Sequence, residues 1–138
     1  MANEAVLNVE TVLPVNFACA DGTGIEKGAL LKMTDGMTAI INSGANDAFA
    51  GVAQSEKIAD DGITSIAVYR GGIFRMTAAA AITVGDAVTI SATANKIQTA
   101  TAASVSSAII GCALETASGA DDTILVEVRP GFNNAAYA

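Results

Sequence analysis

The sequence predicts an all-β protein: a small β-barrel or sandwich built from two related meanders, with an extended N-terminal arm and at most one short helix. Three observations predict it. Short runs alternate in the period-2 manner of half-buried strands, as in Val88-Thr89-Ile90 and Val126-Glu127-Val128. Glycine and Asx residues separate the runs at roughly 8–12 residues, the spacing of a sandwich or barrel. The same order of signals also occurs twice along the chain.

The first stretch, Ala5 to Ala20, is apolar, lacks a helical stripe and carries Pro14 in its middle. Proline fixes its own φ and pushes the preceding residue towards extended conformations. This predicts an extended arm or edge strand, and the arm is assigned residues 1–20. Asp21-Gly22-Thr23-Gly24 then marks a turn and opens a barrel-like domain over 21–132.

Within that domain, Ile25 to Met33 matches Ile82 to Ile90, each an apolar residue, a glycine turn and a short strand. Phe49-Ala50-Gly51-Val52-Ala53 matches Ile109-Ile110-Gly111-Cys112-Ala113. Asp60-Asp61 and Asp121-Asp122 each precede a strand, one ending near Arg70 and the other near Arg129. Two copies are too few for a solenoid and suggest paired meanders closing one barrel or sandwich. Ala78 to Ala81 and Ala100 to Ile110 are the places where a helix is conceivable, because alanine favours it. Ser104, Ser106 and Ser107 compete for backbone hydrogen bonds in the second, which limits it to one short helix. The tail 133–138 is expected to be mobile unless it docks on a neighbour.

Composition excludes several classes. Of 138 residues, 51% are apolar, which is too many for intrinsic disorder. Aromatics are only 4%, so the core is built from small side chains and is thin. Burial between subunits is one remedy. Seven basic and 14 acidic side chains give 7 − 14 = −7, the wrong sign for phosphate-driven binding of nucleic acid. With no His, the commonest general base and metal ligand is missing. No run of about 18 apolar residues is present to span a bilayer, and the N-terminus lacks the pattern of a secretory signal. Cys19 and Cys112 lie far apart and read as two buried free thiols rather than a disulfide or metal pair.

No constellation for catalysis stands out. There is no GxSxG motif, and Lys32 and Lys57 read as solvated rather than as bases. The Asp60-Asp61 and Asp121-Asp122 pairs read as turn residues, ahead of a glycosidase pair or a calcium site. Gly71-Gly72 fits no phosphate-binding motif. No cofactor and no metal is expected. Arg70 and Arg129 take equivalent places in the two repeats, and with Arg75 they are candidates for subunit-interface ion pairs.

The second half carries a resemblance. The series Ile73-Phe74, Ile82-Thr83-Val84-Gly85-Asp86-Ala87-Val88, Ile110-Gly111-Cys112-Ala113 and Thr123-Ile124-Leu125-Val126-Glu127-Val128-Arg129 resembles tailed-phage capsid decoration, or cement, proteins over roughly residues 50–130. The order and spacing of the blocks carry the match. The chain departs from the pattern in its longer N-terminal stretch, its fuller first repeat, and the missing aromatic after Val88. The resemblance implies a structural virion protein on the outer surface of an icosahedral head, made in the host cytoplasm and no enzyme. It implies the major capsid protein and further copies of itself, as a homotrimer at three-fold positions, as partners, with no nucleic acid and no membrane. The arm then becomes the candidate capsid contact through Val6, Leu7, Val9, Val12, Leu13, Pro14, Val15 and Phe17. Alternatives are a tail or fibre component and a β-barrel adhesion or carbohydrate-binding module.

Overall fold

Two five-stranded barrels, one per sequence repeat, make up the body of the protein in a computed structural model that describes residues 3–101 and 103–132. In the first, β2 (Val15–Ala18), β3 (Leu30–Asp35), β4 (Thr38–Ile41), β5 (Phe49–Ala53) and β6 (Ser65–Tyr69) close in the order β2-β4-β3-β5-β6. In the second, β7 (Gly72–Ala78), β8 (Ala87–Ile90), β9 (Lys96–Thr99), β10 (Ile109–Ala113) and β11 (Thr123–Val128) run in the order β7-β11-β10-β8-β9. A parallel pairing of β7 with β9 closes it. The first strand, β1 (Val6–Val9), is added antiparallel to the outside of the second barrel, along β7. A 3-10 turn at Ser106–Ala108 falls inside the second of the two stretches where a helix was conceivable. The expected mobile tail, 133–138, lies outside the described residues.

The pairings of the two barrels superimpose term by term. Each barrel's first strand is antiparallel to its last and touches its third in parallel, through Ala18↔Thr38 in one and Thr77↔Lys96 in the other. An isolated antiparallel bridge occupies the same place in each, Ile25↔Lys57 and Ile82↔Ala117. The repeats therefore each close a barrel of their own instead of sharing one. Small side chains make this possible: Ala29, Ala39, Ala50 and Ala53 leave room for Phe17, Leu31, Ile66 and Val68 inside five strands.

Glycine is required at equivalent points. Gly28 and Gly85 adopt φ of 86° and 91°, and their N–H groups reach the Ala53 and Ala113 carbonyls at 2.9 and 2.8 Å. A side chain on Gly111 would meet the Glu127 carbonyl oxygen at 1.9 Å, so the close approach of β10 and β11 there requires glycine. Asp60 and Asp121 occupy the left-handed region at φ 61° and 71°, which fits their reading as turn residues.

Residues of the first barrel that turn away from its own core seal the second. Leu31 belongs to the cluster around Phe17, while its neighbour Leu30 joins Phe49, Val52 and Tyr69 in a cluster with Phe74, Met76, Ile90 and Val128. The Tyr69 and Phe74 rings meet edge to face at 5.6 Å. The Leu30 N–H donates to Asn95 Oδ1 at 2.9 Å, pinning β3 to the β8–β9 turn. At the outer wall of the second barrel, Ala87 and Ile109 are covered instead by Ala100 and Phe132.

Phe17→Ala should cost about 3–5 kcal/mol, because it hollows a core of small residues that cannot collapse further. Leu13→Ala, at an 81% exposed position, should fall within about 0.5 kcal/mol. Paired urea-unfolding curves check both values.

Candidate functional site

The stretch read from sequence as an arm or edge strand is extended, and it ties the barrels together. Ala5 donates its N–H to the Gly28 carbonyl at 2.8 Å, on the first barrel. Next, β1 pairs with β7 through Val6↔Arg75, Leu7↔Phe74 and Val9↔Ile73, with a register break before Val9. A crossing segment leads back to β2. It is held where Tyr69 donates its hydroxyl to Glu10 Oε2 at 2.8 Å and where Val12 lies against Gly71. That bond to Glu10, with burial, raises the Tyr69 pKa. The boundary expected at residue 20 thus has a barrel strand, β2, on its N-terminal side.

Most of the side chains proposed for contact are presented outward. Val6, Leu7, Val9, Val12, Leu13 and Val15 are 40–81% exposed, and Pro14 is half-buried. The outer edge of β1 has no strand partner among the described residues. Phe17 behaves differently: it is 2% exposed and fills the first barrel, because alternation along β2 turns it inward.

The three arginines are not brought together. Arg70 donates from Nη1 to the Phe49 and Ala50 carbonyls at 3.3 and 2.8 Å. Arg75 reaches the Thr123 carbonyl at 3.2 Å and Glu115 at 3.5 Å. Arg129 is exposed and lies 5.0 Å from the Phe132 ring centre. Register also separates Arg70 from Arg129. Ala53 pairs with Val68 and Ala113 with Val126, so Val128 is the counterpart of Arg70, and Arg129 comes one residue later. Cys19 is buried and Cys112 half-buried, and both are free. Burial raises the pKa of each thiol.

Lys57 departs from its expected solvated position. Its side chain is 1% exposed, and Nζ donates to the Asp21 and Ile58 carbonyls at 2.8 and 2.9 Å and to Asp61 Oδ1 at 3.0 Å. Asp21 Oδ1 completes the group at 3.3 Å. Burial alone would push the Lys57 pKa down, but the bonds to Asp61 and Asp21 outweigh it and the pKa is raised. The Asp61 carboxyl is held below the ordinary range by the Ile63 N–H and then by Lys57. The bridge with Ile25 turns Lys57 inward at the place where the second repeat has Ala117. The signal in the sequence was a lysine four residues before an aspartate in a glycine turn, which the local polarity hid.

A family model described as phage cement protein matches residues 9–128. No curated protein matches. Among solved structures, the crystal structure of the head fiber gp8.5 N base of bacteriophage phi29 is similar in fold, with a TM-score of 0.58 and 17% identity. The match covers 88% of this chain and 99% of that one.

Asp61 has a depressed pKa in the folded state, so its contribution is complete above the unfolded value and fades as pH falls through the folded one. The melting temperature should therefore drop below about pH 4. In Asp61→Asn that acid-induced drop should be smaller, although the variant melts lower at neutral pH. Calorimetric scans from pH 7 to 2.5 check both.

Proposed function

The chain belongs to the phage cement protein family, and on that premise we propose that it binds the outer surface of an icosahedral phage head and stabilises the shell. The partners in this reading are the major capsid protein and two further copies of the chain, as a homotrimer at local three-fold positions. The role is structural and calls for no catalytic group.

The observation that carries the reading is the N-terminal surface. Val6, Leu7 and Val9 project from a strand whose outer edge is open, and Val12, Leu13 and Val15 continue the apolar strip. An open edge adds a strand of another protein through main-chain hydrogen bonds, while alternate side chains fill pockets. A contact of this size is modest alone. Repeated over a shell and through the subunits of an oligomer, it is amplified by effective concentration. A protein that binds the assembled shell and not free subunits stabilises the shell by mass action. The net charge of −7 opposes contact with packaged DNA and suits the outer face.

The test uses heads assembled without the protein, mixed with purified wild type or with Val6→Asp/Val9→Asp. Both positions are solvent-exposed, so the variant should fold. Wild type should co-sediment with the heads and raise their thermal disruption temperature, and the variant should bind at least about tenfold more weakly. Equal binding by the variant would remove β1 from the contact. Wild-type protein that ignores heads and forms rings or filaments would favour a tail or fibre component.

A further inference from the structure

The tandem barrels leave one end of the first barrel in a state that the second barrel does not share. Register gives the correspondence. Met33↔Ala39 in the first barrel answers to Ile90↔Ile97 in the second, and the Ala18↔Thr38 contact answers to Thr77↔Lys96. Met37 and Asn95, the residues just before Thr38 and Lys96, both take positive φ, 48° and 66°. Val15, paired with Val68, answers to Phe74, paired with Val126. In the second barrel these positions are sealed, with Phe74, Ile90 and Asn95 no more than 1% exposed. What seals them is the wall of the first barrel, through Leu30, Phe49, Val52 and Tyr69. In the first barrel the same positions are apolar and open: Val15 is 41%, Met33 36% and Met37 52% exposed, with Leu13 beside them.

The geometry points to this open end of the first barrel as a self-association surface that takes a second copy of this chain. Its counterpart is already an interface within the chain, and what fills that interface is a barrel of this same fold. The open end is also continuous with that interface, because the crossing segment packs Val12 on Gly71 at the junction and then runs through Leu13 into Val15. Arg70, held on the Phe49 and Ala50 carbonyls, lines a groove with Met33 and Phe49 beside this end. Simple head-to-tail stacking is blocked, since the wall that would continue the series is capped by Ala100 and Phe132. The open ends therefore converge on a symmetry axis and close the assembly. Methionines suit such a contact because flexible thioethers fill irregular gaps.

This inference rests on the proposed homotrimer but not on capsid binding, and the experiment separates the two. Full-length wild type and Met33→Glu/Met37→Glu, changed at two exposed positions outside the strip assigned to the shell, are compared by sedimentation velocity over a concentration series, with circular dichroism as the check on folding. Each is then co-sedimented with heads that lack the protein. Wild type should sediment as a closed oligomer, and the variant should associate about a hundredfold more weakly while keeping the β spectrum. Met37→Leu should associate like wild type. A monomeric wild type, or a variant as oligomeric as wild type, overturns the inference. A variant that stays oligomeric but loses the heads also overturns it and gives this end to the shell.

Discussion

A single apolar seam makes one body of two thin barrels. Leu30, Phe49, Val52 and Tyr69 leave the first barrel's wall and complete the core of the second around Phe74, Ile90 and Val128. Each large side chain buried there contributes about 1.5–3 kcal/mol, more than an interior alanine can supply. The seam also explains the placing of β1. Laid on β7 and tethered through Glu10 to Tyr69, it runs beside the junction while Val6, Leu7 and Val9 stay exposed. A chain of small residues thus obtains a stable core by packing one duplicate onto the other, and keeps part of its apolar surface for use outside.

Duplication also shows which features the barrel needs. The glycine turn, the parallel closing contact and the lone bridge occur in both halves, so closure depends on them. The buried ammonium does not recur. Lys57, ringed by Asp21, Asp61 and the Ile58 carbonyl, stands where the second repeat has Ala117. A buried ion pair is often no more stabilising than an apolar replacement of similar shape. What Lys57 adds is a specific link between two loops, β2–β3 and β5–β6, at the far end of the first barrel. In the second repeat Asp122 binds Ser118 through its hydroxyl and N–H instead, a local closure without a buried cation.

Much of this was legible because strands and turns leave local marks. The matches Ile25–Met33 with Ile82–Ile90 and Phe49–Ala53 with Ile109–Ala113 follow from glycines that only one backbone conformation or one close approach permits. The acidic turns at Asp60 and Asp121 were readable for the same reason. Closure was not, since one barrel or two depends on which strand meets which, and a single parallel pair such as Ala18↔Thr38 leaves no trace in composition. Phe17 shows the limit at residue scale. It sits in the same apolar stretch as Val15, but only the start of β2 decides that one faces the core while the other lies at its open end. Lys57 was hidden because its partners come from 36 residues away as well as from its own loop.

An exposed apolar strand invites indiscriminate pairing, and the structure restrains β1 in ways that fit a selective contact. The strand has only four residues, its register breaks before Val9, and polar Asn8 and Glu10 interrupt the apolar series. Pro14 removes a backbone donor just before β2, so the edge cannot continue as one long ladder. Such an edge is too short to hold a random partner by main-chain bonds alone. In the proposed contact it gains from pairing only where complementary pockets accept its exposed apolar side chains and where other copies hold the partner in place. Weak single contacts, many sites and a surface that rejects solitary strands are what the proposed stabilisation of an assembled shell would require.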